Sequence, residues 1–297
     1  MPDLALNKER CVIFLHIPKA AGTTLYNIMG RQYPRAAIHD IYGIDLDELK
    51  AAYDEFKALP QEERDKISLL RGHVAFGIHE YFRRPTTYVT MLRHPVERLI
   101  SQYFYVLRKP KHYLYEEIKS KNMGLAEYVT SGITSELVNG QTRLLSGIME
   151  TADVGFSDPS VSSDVLETAK KNMREHFVTV GLAEHFDESL ILMKRLLGWS
   201  NVFYARDNVT KGRPVQNEIP KETIRLIEKH NEADMELYES AQKTFNERLR
   251  HEGEAFKNEL RSFQRLNKLY STAWNKGYRP TRKALHKVKA VIQGRRA

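Results

Sequence analysis

The chain has 297 residues, of which 41% are hydrophobic and 28% charged, and its formal net charge is +8 at pH 7. This composition is typical of a folded globular protein with a sizeable core and excludes an intrinsically disordered chain. The sequence shows no apolar run of the roughly 18 residues that a membrane-spanning helix needs, and no secretory signal pattern. Because Cys11 is the single cysteine, we expect no internal disulfide and no zinc site, and a cytoplasmic location.

The positive charge is concentrated at the C-terminal end of the chain. Of the 46 Lys and Arg residues, eleven lie in 261–297, which leaves 35 basic residues against 38 acidic ones in the rest. Since this body has no positive excess, specific binding of nucleic acid is not expected. The charge pattern predicts one domain over 1–260 and a basic, partly helical tail over 261–297.

Strand and helix patterns alternate along the body. Runs rich in β-branched and apolar residues predict strands at 11–16, 67–73, 87–92 and 176–182. Helical spacing of apolar residues predicts helices after residue 22, from Pro95, in pieces over 113–149, over Asp187–Leu197, and from Pro220 towards residue 270. Loops are expected at 83–86, 151–162 and 206–219. This alternation predicts an α/β fold with a mostly parallel sheet.

The segment HIPKAAGTTL (16–25) joins the first predicted strand to the first helix. A helix N-terminus at the end of a parallel strand offers unpaired N–H groups and partial positive charge, which suit a phosphate or sulfate. Gly22 lets the backbone approach an anion closely, and Lys19 adds a cation. Lys19 precedes Gly22 by three residues, so this is not a Walker A motif, and magnesium-dependent triphosphate chemistry is not predicted. The alternative is a simple glycine turn with a helix cap.

A second anion site is indicated in LRHPVERLISQYFY (92–105), where Arg93 follows a predicted strand and Pro95 opens a helix. We expect Arg93 and Ser101 to converge on a phosphate, and Arg98 to point elsewhere. The alternative is an ordinary surface arginine at a helix start. Two anion sites on neighbouring strands fit a ligand with two separated phosphate groups.

These two segments resemble the nucleotide-binding motifs of sulfotransferases. HIPKAAGTTL resembles their 5′-phosphosulfate loop, and the pattern R-x-P-x-x-R-x-x-S over 93–101 resembles their 3′-phosphate motif. Four more segments are similar to the branch that contains the heparan and chondroitin 2-O-sulfotransferases and bacterial relatives: RGHVAFGIHE (71–80), NGQTRLLSG (139–147), VGLAEHFDESL (180–190) and NEADMELY (231–238). The resemblance implies a P-loop-like sulfotransferase fold for the body. His94, often Asp in relatives, and Ala20-Ala21 depart from the pattern.

The resemblance also implies a donor and a set of site residues. The donor would be 3′-phosphoadenosine 5′-phosphosulfate (PAPS), with 3′-phosphoadenosine 5′-phosphate (PAP) as product and no required metal. Lys19 matches the lysine that serves the leaving oxygen. The implied nucleotide contacts are Lys19, Ala21, Gly22, Thr23, Thr24, Arg93 and Ser101, with Lys211 and Arg213 as candidates in a region that closes over the nucleotide in relatives.

A general base must remove the proton of the acceptor hydroxyl, and histidine suits that task near neutral pH. His73 matches the histidine that 2-O-sulfotransferases use, while His79 is the alternative as a base or an acceptor-binding group. His16 is expected to support the anion loop structurally.

The sequence therefore predicts a PAPS-dependent sulfotransferase that acts on a hydroxyl group, with a carbohydrate as the expected acceptor and a lipid or small metabolite as alternatives. A non-catalytic nucleotide- or polyanion-binding protein is the rival interpretation. In the tail, ALHKVKAVI (284–292) has the pattern of a basic amphipathic helix, which would contact an anionic membrane or polyanion, or pack on the body. Tyr270, Trp274 and Tyr278 are expected to pack on the body.

Overall fold

The structure is a computed structural model. It describes residues 10–43, 45–148, 161–205 and 216–278, and of residue 278 only the backbone. The described strands form one five-stranded sheet: β1 (Cys11–Leu15), β2 (Ile38–Ile41), β3 (Leu69–Gly72), β4 (Thr86–Leu92) and β5 (Phe177–Leu182). Their order across the sheet is β2-β3-β1-β4-β5, and every pairing is parallel. The predicted α/β fold with a parallel sheet is confirmed.

Helices flank the sheet and extend beyond it at the C-terminal end. The described ones are α1 (Gly22–Met29), α2 (Leu46–Ala58), α3 (Gln61–Asp65), α4 (Pro95–Val106), α5 (Tyr115–Ser120), α6 (Leu125–Thr130), α7 (Gly140–Ser146), α8 (Ser163–His176), α9 (Phe186–Leu197), α10 (Lys221–His230), α11 (Glu232–His251) and α12 (Gly253–Ala273). The long helix predicted from Pro220 is thus three helices. The last break lies at Gly253, whose φ of 71° only glycine adopts without strain.

The central strand explains why the sheet is the core. All five residues of β1 are buried, because helices cover both faces of a parallel sheet and leave no side of it to water. This is why β1 reads as a continuous apolar run, which made it predictable.

Strand β2 was not predicted, and a buried arginine holds it in place. Arg71 on β3 is 1% exposed, and its guanidinium donates to both carboxylate oxygens of Asp40 on β2, at 2.8 and 2.9 Å. It also donates to the backbone oxygen of Tyr26 on α1 at 2.9 Å and lies over that ring. Arg71 therefore ties β2, β3 and α1 together and carries the end of β2 to the edge where β1 and β3 end.

The start of the predicted basic tail packs on the body. The boundary proposed at residue 260 falls inside α12, and Phe263 beyond it is buried. Tyr270 lies 5.9 Å from the ring of Phe203 and 5.9 Å from that of Trp274. The amphipathic pattern at 284–292 lies outside the described residues, so its contact with a membrane or polyanion stays a prediction. Of the helices in the described ranges, none has the length and apolarity needed to cross a membrane.

Candidate active site

All five strands run in one direction, so their carboxyl ends meet at one edge, which is where open parallel sheets bind ligands. Each strand is followed within a few residues by a polar side chain at this edge. These residues are His16, Tyr42, His73, Arg93 and Glu184, after β1, β2, β3, β4 and β5 respectively. Because β1 and β4 are neighbours, the two predicted anion sites lie on adjacent strands, as expected.

The loop after β1, which we call the anion loop (residues 16–25), has a backbone shaped for an anion. Lys19 and Ala21 have φ of 65° and 63°, a left-handed conformation that non-glycine residues rarely adopt. Such strain persists where the surrounding structure demands it, typically at ligand sites. Ala21 has no polar side chain to cap α1, so the first N–H groups of the helix have no acceptor within it. This is a donor set that fits a phosphate.

Gly22 is required because the ring of His16 occupies the space of a side chain there. A Cβ on residue 22 would lie 2.0 Å from Cδ2 and Nε2 of His16. The other ring nitrogen, Nδ1, is 3.0 Å from the hydroxyl of Tyr42. His16 is thus wedged between the end of β2 and the start of α1, which agrees with its expected supporting role.

His73 completes a cluster of three rings with His16 and Tyr42. Its ring centre is 4.9 Å from that of His16 and 4.9 Å from that of Tyr42. Burial lowers the pKa of His73 to about 4, and burial together with the neighbouring His73 and Lys19 holds the pKa of His16 well below its usual value. Both imidazoles are therefore neutral at pH 7. Among the described side chains, none hydrogen-bonds to the ring of His73, which leaves it able to accept a proton.

Lys19 and Arg93 join the two predicted anion motifs. Arg93 donates from Nη1 to the backbone oxygen of Lys19 at 3.1 Å, and its Nη2 pairs with Glu97 at 3.1 Å. The ammonium of Lys19 lies 3.7 Å from the ring centre of Tyr105, on the helix that Arg93 precedes. The cation of the first motif and the arginine of the second therefore belong to one site.

A buried glutamine fixes the backbone of Arg93. Gln141, on α7, accepts from the N–H of Arg93 at 3.0 Å and donates to its carbonyl oxygen at 3.0 Å. Gln141 is fully buried. It belongs to the NGQTRLLSG segment, but sequence reasoning assigned it no role.

Gln141 is held in turn by a buried ion pair. Asp234 on α11 accepts from the N–H of Gln141 at 3.1 Å and from the N–H and hydroxyl of Thr142 at 2.7 and 2.8 Å. Its Oδ2 lies 3.7 Å from Nη2 of Arg98, and the two side chains are 0% and 1% exposed. Arg98 thus points away from the site, as expected, and joins α4 to α11. The NGQTRLLSG and NEADMELY segments therefore pack against each other, and together they fix the position of the Arg93 backbone.

Carboxylates also lie beside Arg93. Glu184 accepts from the N–H of His94 at 3.0 Å and from the hydroxyl of Tyr238 at 2.9 Å, while Glu97 pairs with Arg93 itself. At the β4 end of the edge, carboxylates therefore lie close to the cation of Arg93, and an anion that binds there competes with them.

The remaining predicted contacts have the following positions. Thr23 is exposed and Thr24 half-buried on the first turn of α1, and Ser101 is half-buried on α4. Lys211 and Arg213 lie outside the described residues, so their contact with a nucleotide stays a prediction.

His79 is placed apart from the cluster around His73. Its Nδ1 is 2.9 Å from the hydroxyl of Tyr88, and its ring centre is 5.0 Å from that of His176. His176 directly precedes β5 and therefore lies at the amino end of that strand, opposite the candidate site. The structure brings His16 and His73 together but does not bring His79 to them.

Comparisons with known proteins identify the family. Residues 3–277 match the model of the galactose-3-O-sulfotransferase family. Mouse galactose-3-O-sulfotransferase 3 is 27% identical over 258 residues, which cover 84% of this chain and 59% of that protein. Bovine galactosylceramide sulfotransferase is 25% identical over 243 residues, covering 77% of this chain and 55% of that protein. The chain thus spans less than two thirds of the length of these relatives.

A solved structure, mouse sulfotransferase SULT7A1 complexed with PAP, aligns with a TM-score of 0.38 and 14% identity over 77% of this chain and 66% of that chain. The assignment to the 2-O-sulfotransferase branch is not supported, because the matching family model is a different one. The motifs that suggested that branch lie at the strand ends and in the packing around them, and resemblance in such motifs does not fix the acceptor. Since the family model covers nearly the whole sequence, the chain belongs to the galactose-3-O-sulfotransferase family.

Proposed function

We propose that this protein transfers a sulfuryl group from PAPS to a hydroxyl of a galactose-bearing carbohydrate, with His73 as general base and Lys19 at the leaving oxygen. The observation that carries the proposal is the convergence of the anion loop, a neutral, half-buried histidine and Arg93 at one edge of the sheet. Family membership supports the reaction class, and the names of the relatives support the acceptor class.

The residues present fit the nucleotide. The uncapped first turn of α1, with Thr23 and Thr24 on it, would hold the 5′ end, and Arg93 with Ser101 would hold the 3′-phosphate. Arg93 has one guanidinium nitrogen on Glu97, which a phosphate with its greater charge would replace as partner. When bound, PAPS supplies the sulfuryl group and a phosphate leaving group.

Lys19 acts by placing a cation where negative charge develops. An ammonium group aimed at the leaving oxygen stabilises the transition state more than the ground state, because the charge is largest there. The strained backbone of residues 19 and 21 supports a loop held ready for this task, so little reorganisation is needed during reaction.

His73 acts by taking the proton of the acceptor hydroxyl at a ring nitrogen. Burial lowers the pKa of His73 to about 4, so the ring is neutral at pH 7 but a weaker base than an exposed histidine. A bound anion would raise this pKa, because negative charge nearby favours the imidazolium. That shift moves the base towards the pKa that general-base catalysis near neutral pH requires.

Isothermal titration calorimetry with PAP, without magnesium, tests the proposal. We expect specific binding that weakens strongly in Arg93→Ala, followed by sulfation of a β-galactoside when labelled PAPS is supplied. Absence of PAP binding would refute the proposal. PAP binding without sulfation of any acceptor, in the full-length protein, would favour the rival non-catalytic role.

A further inference from the structure

The side chain of Lys19 lies against a row of aromatic rings that continues to the surface. Its ammonium is 3.7 Å from the ring centre of Tyr105. The rings of Tyr105 and His112 are nearly perpendicular, with centres 5.8 Å apart and planes at 86°. His112 stacks on Tyr113 at 4.8 Å and 21°. Tyr113 is 40% exposed. We call Tyr105, His112 and Tyr113 the aromatic platform; it leads from the anion loop to solvent.

The platform is held in place by its own contacts. Nδ1 of His112 accepts from the N–H of Leu114 at 3.2 Å, which fixes the orientation of the ring. The hydroxyl of Tyr113 donates to Thr134 at 3.4 Å. Burial, and then the charge of Lys19, lower the pKa of His112 below its usual value, so this ring is neutral at pH 7. The platform therefore offers uncharged rings beside a cation.

Such a surface suits a sugar. Sugar rings have an apolar C–H face and a rim of hydroxyls, and they stack on aromatic rings that combine a flat apolar face with polar edges. Lys109, whose ammonium is 6.0 Å from the ring centre of Tyr105, supplies a hydrogen-bond donor for the hydroxyl rim. The contact between Tyr105 and Lys19 sets this surface next to the place where sulfuryl transfer is proposed.

We infer that the aromatic platform is the acceptor subsite and that it binds the C–H face of a sugar ring, a galactoside in the first instance. This inference rests on the proposed function, because the position of Lys19 is what makes the neighbouring surface the place of the acceptor. An acceptor held by stacked rings is oriented for in-line attack, which is the main requirement of a group transfer.

The test combines a binding measurement and a kinetic one. Saturation-transfer NMR with methyl β-D-galactopyranoside on the protein without added nucleotide is expected to show transfer to sugar C–H protons, lost in Tyr113→Ala. With the same sugar as acceptor, Tyr113→Ala should raise KM by about tenfold, with kcat and PAP affinity retained. Tyr113→Phe keeps the ring and should keep KM.

A matched control is Tyr81→Ala, because Tyr81 is 37% exposed but packs against Phe56. It should leave KM and the NMR signal unchanged. Unchanged saturation transfer and KM in Tyr113→Ala would overturn the inference, as would absence of saturation transfer from the wild-type protein to galactoside, glucoside and N-acetylglucosaminide probes. The NMR signal needs no turnover, so it tests the platform separately from PAP binding, on which the proposed function depends.

Discussion

The two halves of the strand-end edge differ in how they are built. The half formed by β1, β2 and β3 holds neutral, partly buried rings, His16, Tyr42 and His73, in mutual contact. The half formed by β4 and β5 holds charged groups, Arg93 and Glu184, each tied by hydrogen bonds to its neighbours. Burial lowers the pKa of His16 and His73 and raises that of Tyr42, so the rings of the first half stay neutral, whereas paired partners fix the positions of the groups in the second half.

The two halves suit two different requirements of group transfer, a proton acceptor and an anion site. A proton acceptor has to be neutral and free to move a proton, while an anion site has to be rigid and charged. Lys19 connects the halves, since it follows β1 and its backbone oxygen accepts from Arg93. We therefore expect mutations in the charged half to change stability and nucleotide affinity, and mutations in the ring half to change turnover and its pH dependence.

The largest expected effect is on stability, from the ion pair behind the charged half. Asp234→Asn keeps the shape but leaves the buried charge of Arg98 unpaired, which should lower the free energy of unfolding by about 3–5 kcal/mol in urea titrations. The exposed pair Glu117–Lys121, at 2.8 Å, is the matched control. Glu117→Gln should cost less than about 1 kcal/mol. Similar losses in both variants would contradict the structural role of Asp234.

Lys19→Ala should have the next largest effect, on turnover. Removing a group that stabilises developing negative charge costs about 100- to 1,000-fold in kcat. Lys57→Ala is the control, because the ammonium of Lys57 also lies over a tyrosine ring, that of Tyr53 at 5.3 Å, but outside the site. Steady-state kinetics with PAPS would measure both. A Lys19→Ala protein with nearly wild-type kcat would remove Lys19 from the mechanism.

Gln141→Ala should weaken PAP binding by about tenfold in calorimetry, because it removes both hydrogen bonds that the Gln141 side chain makes with the backbone of Arg93. Asn172→Ala is the control, since Asn172 is a buried amide that donates to the carbonyl of Leu145 at 2.9 Å and so supports the C-terminal end of the same helix, α7. Both variants should lose some stability. Equal PAP affinity in the two would show that Gln141 does not position Arg93.

The smallest effect is on pH dependence, from the ring half. Because burial lowers the pKa of His73 to about 4, the unfolded chain binds a proton below about pH 6.5 that the folded protein does not. Stability should therefore fall as the pH falls from about 6.5 to 4, and His73→Gln should make this slope shallower. NMR titration of the His73 ring should give a midpoint near 4 that rises when PAP is added. A midpoint near 6.5 in the free protein would contradict the lowering of the His73 pKa by burial.

Residues whose roles depend on nearby sequence were predictable. Arg93 directly follows β4, and Lys19 and Gly22 lie in the loop and helix start after β1. Both strands have clear apolar patterns, so the edge could be inferred from the order of strand, turn and helix. His73 also directly follows a strand, although its role as base was predicted from the resemblance to sulfotransferases.

Residues whose roles depend on long-range pairing were missed. Strand β2 contains His39 and Asp40 and reads as polar until Asp40 is paired with Arg71, 31 residues later. Tyr42 follows that strand and was missed with it. Gln141 contacts Arg93 across 48 residues, and no local pattern reveals that contact.

His79 shows a further limit of sequence spacing. It lies six residues after His73, but spacing alone does not say whether the chain stays at the edge or turns down the face of the sheet. The observed contact with His176, before β5, shows that it turns away.

Sulfation of a β-galactoside with labelled PAPS, compared between His73→Ala and His79→Ala, tests the central claim most directly. The account predicts that His73→Ala loses at least about 100-fold in kcat while PAP affinity measured by calorimetry is retained, and that His79→Ala stays close to the wild type. Undiminished turnover in His73→Ala, or an equal loss in His79→Ala, would contradict the assignment of the base to the ring cluster at the ends of β1, β2 and β3.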